Sequence, residues 1–141
     1  MKILGLLDLN KLKISEKEEV NFENYRIFSY RLSELGADGI YIKGINKDSD
    51  LIFINELKNE IDIPIFKEND FEDIIHIEEF LKGKKGTTLI IEEEEILEHF
   101  DGRKEFVPIY TALISYKAKK EGFITLIVED IEAVKASLKF E

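Results

Sequence analysis

The sequence predicts an α/β domain with a mostly parallel sheet of five to six strands built from βα units, and three observations predict it. A helix, a glycine and a short apolar strand follow one another in Tyr30–Ile45, YRLSELGADGIYIKGI. The rhythm returns downstream in DIPIF, GTTLII and GFITLIV. The opening strand is apolar at consecutive positions, as a strand covered on both faces is. A strand that follows a helix without reversing direction lies parallel to its predecessor, so the C-terminal strand ends share one face, and a site is expected there.

Taken in order, the first strand is Lys2–Leu9, ended by Asp8. The polar stretch 10–21 leads to a helix over 22–35, where Phe22, Tyr25, Phe28, Leu32 and Leu35 recur at helical spacing as a core stripe, and Gly36 stops it. Strand two is Gly39–Ile42. Helix two, over 49–60, sets Leu51, Ile54, Leu57 and Lys58 on its inward stripe. Strand three, Ile63–Phe66, carries Pro64 near its start, where a missing N–H does least harm. Helix three is expected over 70–82 with the stripe Phe71, Ile74, Ile75, Glu78 and Leu81, Asp70 as N-cap and Gly83 as the stop. Strand four is Thr87–Ile91, followed by a short helix in EEEEILEHF, whose acidic first turn suits the positive helix end. After the Asp101-Gly102 turn come a fifth strand, Glu105–Tyr110, a helix over 111–121, a sixth strand, Phe123–Val128, and a closing helix over 130–139.

Composition narrows the function. The 141 residues fit one domain, with 44% hydrophobic residues, ten Phe and five Tyr to fill a core. Thirty acidic against 20 basic residues leave a net charge of −10, which repels phosphate backbones and anionic lipid, so neither nucleic acid nor a membrane is an expected partner. No apolar run approaches the roughly 20 residues that span a bilayer. The N-terminus enters a strand without a small-residue cleavage site, so a cytoplasmic location is expected. The absence of Cys removes disulfides, thiolate nucleophiles and cysteine metal sites together. With abundant Lys, Glu and Ile it fits a thermophilic source.

Residues just past the strand ends form the site hypothesis: Asp8 and Asn10, Lys43 and Asn46, Lys67 to Asp70, Glu92 to Glu94, and Glu129 with Asp130. Asp8 would act as general acid or base beside Lys43 or Lys67, a lysine stabilising an anion; these three are the candidate catalytic residues. Carboxylates from strands one, four and six are also compatible with a divalent cation such as Mg²⁺, which prefers oxygen ligands. The bland alternative is a set of solvated loop ends in a chain that is 35% charged. No organic cofactor is expected: there is no G-x-G-x-x-G, and no G-x-S-x-G elbow supports a nucleophile. Lys82–Thr88, KGKKGTT, resembles a phosphate loop in composition, but it follows a helix and opens a strand, the reverse of a P-loop, so it reads as a turn. Glutamates 92–95 read as an acidic helix start. His76 and His99 fall on separate expected helices without a third His, which disfavours zinc.

The run LLDLN, LGADGIYIKGIN, INELKNEIDIPIF and FEDIIHIEEFL resembles the first half of the phosphate-binding barrels of histidine biosynthesis, the ProFAR isomerase-like family, over about residues 1–91. The resemblance implies a shortened or partial TIM barrel and a role for Asp8 as the strand-one acid or base of a phosphosugar isomerase. It departs where that family has a glycine-rich phosphate loop after strand three: here Lys67-Glu68-Asn69-Asp70 stands instead, and the phosphate is expected to be lost. MKILGLLDLN with GADGIYIKG is also similar to the opening of dihydropteroate synthases, but Asn10-Lys11-Leu12-Lys13 replaces that family's Asn-x-Thr-x-Asp-Ser-Phe-Ser, so its ligand contacts do not transfer. A full barrel takes about 250 residues. An open sheet, a partial barrel and a half completed by a second subunit all remain open, with a flavodoxin-like open sheet as the alternative fold. The expected function is binding of a small anionic metabolite, or residual isomerase or lyase chemistry, at the strand C-terminal ends. The alternative is a non-catalytic structural or regulatory interaction module. An uncovered edge or helix face needs a partner, so a homo-oligomer, specifically a homodimer, is expected.

Overall fold

A computed structural model describes residues 1–11 and 22–139; most of the polar stretch after strand one lies outside the described residues. Among the described residues six strands form a single all-parallel sheet: β1 (Lys2–Asp8), β2 (Gly39–Lys43), β3 (Ile65–Lys67), β4 (Ile74–His76), β5 (Thr88–Ile91) and β6 (Thr125–Val128), in the spatial order β3-β2-β1-β6-β5-β4. The helices are α1 (Phe22–Leu35), α2 (Asp48–Glu60), α3 (Ile77–Leu81), α4 (Glu93–His99), α5 (Phe106–Lys120) and α6 (Ile131–Leu138), with a 3₁₀ turn at Glu68–Asp70. Among the described residues no helix is long and apolar enough to cross a membrane.

The strands alternate sides, and the two sides are built differently. Ile3, Leu7, Ile40, Ile42, Ile75, Leu89, Ile91, Leu126 and Val128 pack with side chains from all six helices. Leu4, Leu6, Tyr41, Ile90 and Ile127, with Phe66, Phe71 and Ile74, form a second cluster that contains no helix residue. A doubly wound, flavodoxin-like sheet carries helices on both faces; among the described residues this one carries them on one. The second cluster is nonetheless buried: Leu4, Leu6, Tyr41, Ile90 and Ile127 are 0–4% exposed although no helix among the described residues covers them. The strands on this side therefore cover one another, and the face is concave. Phe71, in the connection from β3 to β4, helps to fill it, its ring 5.4 Å from that of Phe66 on β3 and 5.9 Å from that of Tyr41 on β2. The strand order is that of a barrel opened between β3 and β4, and no ladder joins those two edges among the described residues.

One close approach and two capping carboxylates fix the scaffold. A Cβ on Gly5 would sit 2.2 Å from Leu32 Cδ1, so only glycine lets α1 lie this close to β1. Asp50 is buried because its carboxylate accepts from the Asn46 and Lys47 amides, at 2.9 and 3.1 Å, and so ties the β2–α2 loop to the start of α2. On the opposite end of the chain Asp130 caps α6 by accepting from Ala133 N at 3.0 Å.

Several expectations are corrected. The helix expected over 70–82 is a turn, a strand and a short helix: Asp70 accepts from Lys67 N at 2.6 Å instead of capping a helix, and Ile74–His76 pairs with β5. The strand expected at Glu105–Tyr110 and the helix after it are one helix, α5. The strand count of six therefore holds with different members. In α2 the inward residues are Asp50, Phe53, Ile54 and Leu57, while Leu51 and Lys58 face solvent.

Candidate functional site

The concave face opens at the C-terminal strand ends, where its apolar layers give way to charge. Register sets Asp8 beside Lys43 on the face of Leu6 and Tyr41, and His76 beside Ile90. Glu68, Glu92 and Glu129 directly follow β3, β5 and β6, and each is tied to a neighbouring strand end or loop: Glu92 accepts from Lys43 Nζ, Glu129 from Lys11 Nζ and Glu68 from Gly44 N.

Lys43 is the hub. Its Nζ donates to Glu92 Oε1 and lies 3.7 Å from Asp8 Oδ2, with all three side chains largely shielded from solvent. Burial opposes the charge on Lys43, but the bond to Glu92 and the fields of Glu92, Asp8 and Glu129 outweigh it and raise its pKa above the ordinary lysine value. Lys43 is therefore a fixed cation rather than a base. Asp8 accepts from Asn10 N at 3.0 Å, and its backbone carbonyl accepts from Tyr25 Oη at 2.5 Å.

The rim is held by polar bonds between loops. Lys11 donates to both Glu129 oxygens, at 2.8 and 2.6 Å, and Glu129 also accepts from Glu93 N at 2.9 Å. Asn46 Nδ2 donates to Asn10 Oδ1 at 2.9 Å, and Gly44 N donates to Glu68 Oε1. Gly44 has φ of +79°, and a Cβ there would meet Asn10 Nδ2 at 2.8 Å, so conformation and space both require glycine. Beside Asp8 a cleft of about 210 Å³ opens between β1 and α1, lined by Leu6, Asp8, Lys11, Tyr25, Phe28 and Glu129.

A second group sits on the β4–β5 side. His76, Glu92 and Glu95 bring one ligand-type atom each to within 4.8 Å of one another. Glu95 Oε1 is 3.6 Å from His76 Nδ1, and Glu95 Oε2 is buried without a hydrogen-bond partner among the described residues. Burial first, then the Glu92 and Glu78 charges, push the Glu95 carboxyl up to about 7, against the Ile77 amide and Lys43.

Of the three candidate catalytic residues, the structure brings Asp8 and Lys43 together. Lys67 is different: it pairs with Ile42, which belongs to the helix-covered side, so it does not join them. Glu92 and Glu129, singled out as strand-end acids, do reach the mouth. Sequence reasoning missed His76 and Glu95, because both were assigned to helix surfaces. The signal for His76 was Ile74-Ile75-His76-Ile77, a β-branched run too short to show a period of two. Comparison with known protein families, curated proteins and solved structures finds no match.

Proposed function

We propose that this protein is a small-ligand-binding domain of shortened TIM-barrel-like lineage, with residual isomerase- or lyase-type acid–base chemistry at the mouth of its curved sheet. The observation that carries the reading is the Asp8–Lys43–Glu92 cluster, which gathers a carboxylate, a permanent cation and a second carboxylate from three strands at one shielded point. In this reading the ligand is a small anionic metabolite. Its negative group takes Glu92's place on Lys43, Asp8 accepts a proton from the adjacent carbon, and Lys43 faces the charge that develops. Asp8 plays the part that the resemblance to the ProFAR isomerase-like barrels implies. Lys67 has no place in it, since its register sets it on the other side of the sheet.

Thermal shift against phosphosugars, nucleotides, pterins and divalent cations tests the reading. A reproducible rise with an organic anion, lost in Asp8→Asn and in Lys43→Met, supports it. Silence across the anions sinks it.

A second reading concerns assembly. Ile109 and Leu113, each 61% exposed, share one face of α5 with Tyr116. Glu105 precedes this stripe by one turn and Lys120 follows it. Two copies packed antiparallel along α5 would set each Glu105 against the partner's Lys120 around an apolar centre, a self-complementary two-fold contact. A homodimer through α5 is the assembly this surface favours, and it serves equally the interaction-module alternative.

A further inference from the structure

We propose that His76, Glu92 and Glu95 form a binding site for one divalent transition-metal cation of the zinc or manganese class. The site goes beyond the acid–base reading of Asp8 and Lys43 and does not depend on it.

Four observations converge. The three side chains come from the end of β4, the end of β5 and the first turn of α4, and the pairing of β4 with β5 holds them together. Their donor atoms already approach coordination spacing: ligands around a tetrahedral ion at about 2.0–2.2 Å stand roughly 3.4 Å apart, and His76 Nδ1 and Glu95 Oε1 are 3.6 Å apart. Glu95 Oε2 is shut off from solvent and accepts no hydrogen bond among the described residues, a costly state for a carboxylate that a cation would relieve. Glu92 gives one oxygen to Lys43, which leaves the other for a metal.

The donor set selects the ion. Imidazole with two carboxylates suits Zn²⁺, Mn²⁺, Co²⁺ or Fe²⁺, whereas Mg²⁺ and Ca²⁺ favour oxygen alone. Three protein ligands leave a coordination position free, the arrangement of catalytic rather than structural sites. His76 is half exposed, so solvent and solutes reach the cluster. Glu92 then links the two halves of the mouth, touching Lys43 on one side and the cation on the other.

The test is metal uptake by the full chain, stripped with chelator and titrated with Zn²⁺, Mn²⁺ and Mg²⁺ by calorimetry, with Co²⁺ absorption as a coordination signature. One equivalent of Zn²⁺ is expected, with Mg²⁺ much weaker. His76→Ala and Glu95→Gln, checked for folding by circular dichroism, should each weaken Zn²⁺ at least tenfold and abolish the Co²⁺ visible bands. His99→Ala should change neither. The absence of saturable one-to-one binding in the wild type overturns the proposal, as does Zn²⁺ affinity equal in His76→Ala and wild type. Because no organic ligand enters the titration, this outcome is independent of the anion screen.

Discussion

Lys43 and Glu92 are bonded across a sheet in which β1 and β6 lie between their strands. On a flat sheet three strand intervals of about 4.8 Å would separate β2 from β5 by roughly 14 Å. The curl of the concave face turns these strands toward one another, so that the ion pair spans the mouth instead of running along the sheet. The pair therefore reports on curvature as well as on charge. Removing the Lys43 ammonium leaves Asp8 and Glu92, only 11% and 16% exposed at their side chains, facing each other without a counter-ion. Lys43→Met is expected to lower stability by about 1–3 kcal/mol, less than for a fully buried pair because the group is partly solvated. Lys43→Met with Glu92→Gln should recover part of the loss. Urea denaturation of the four proteins of the cycle measures the coupling, and additive effects would show that the bridge contributes nothing.

Glu95 gives the stripped protein a pH dependence of definite sign. Its carboxyl is raised from 4.5 to about 7 by burial and by the neighbouring Glu92 and Glu78, with Lys43 opposing and His76 alongside. Between those values the folded state holds a proton that the unfolded chain has released, so stability falls as pH rises from about 4.5 to 7 and levels off above. Urea midpoints at a series of pH values, in chelator, should show this decline superimposed on the other carboxylates. Glu95→Gln should flatten it, and an identical slope in that variant would exclude Glu95 as the source.

How much of this was legible in the sequence depends on the range of the forces involved. β1, β2, β5 and β6 were readable because each is a run of apolar residues bounded by glycine or an acid, which tertiary contacts merely confirm. β4 was not. Phe71, Ile74, Ile75, Glu78 and Leu81 fit a helix period, and only the ladder with β5 makes Ile74–His76 a strand. In α5 the aromatic and β-branched residues Phe106, Val107, Ile109 and Tyr110 suggested a strand, whereas Pro108 in the middle of that run argued against one. It stands in the first turn of a helix, where its missing N–H leaves no bond unmade. The site followed the same division. Asp8, Lys43, Glu92 and Glu129 were accessible as strand-end residues, while His76 depended on the misread β4, and Glu95, on a correctly expected helix start, stands out only once β4 sets His76 beside it. Lys67 was placed by position along the chain alone, and pleat parity sends it to the other face.

The contact between β1 and α1 is testable at one atom. Leu32 is fully buried, and a Cβ on Gly5 would overlap its Cδ1 and Cδ2 at 2.2 and 2.6 Å. Gly5→Ala is expected to destabilise by about 1–3 kcal/mol through overpacking. Leu32→Ala alone should cost about 2–5 kcal/mol by opening a cavity. The two together should cost less than their sum by about 1 kcal/mol or more, since the new methyl enters the space the leucine vacates. Additivity in chemical denaturation would mean that α1 moves away from β1 rather than losing its packing.

The α5 stripe makes a prediction in which charge and apolar area can be separated. Residues 105, 109, 113, 116 and 120 recur at helical spacing, so Glu105, Ile109, Leu113, Tyr116 and Lys120 share one face, and Lys120 Nζ lies 4.6 Å from the centre of the Tyr116 ring. In an antiparallel two-fold pairing every Glu105 meets a Lys120 of the second copy. Light scattering on a sizing column should therefore report a dimer for the wild type and a monomer for Leu113→Glu, whose carboxylate would be buried at the centre. Glu105→Lys and Lys120→Glu should each weaken the dimer by placing like charges at both ends of the contact. The double exchange should restore it, because it inverts both members of each pair. Single exchanges without effect, with Leu113→Glu still monomeric, would leave an apolar contact whose orientation the charges do not set. A wild type that elutes as a monomer at high micromolar concentration would remove the α5 dimer altogether.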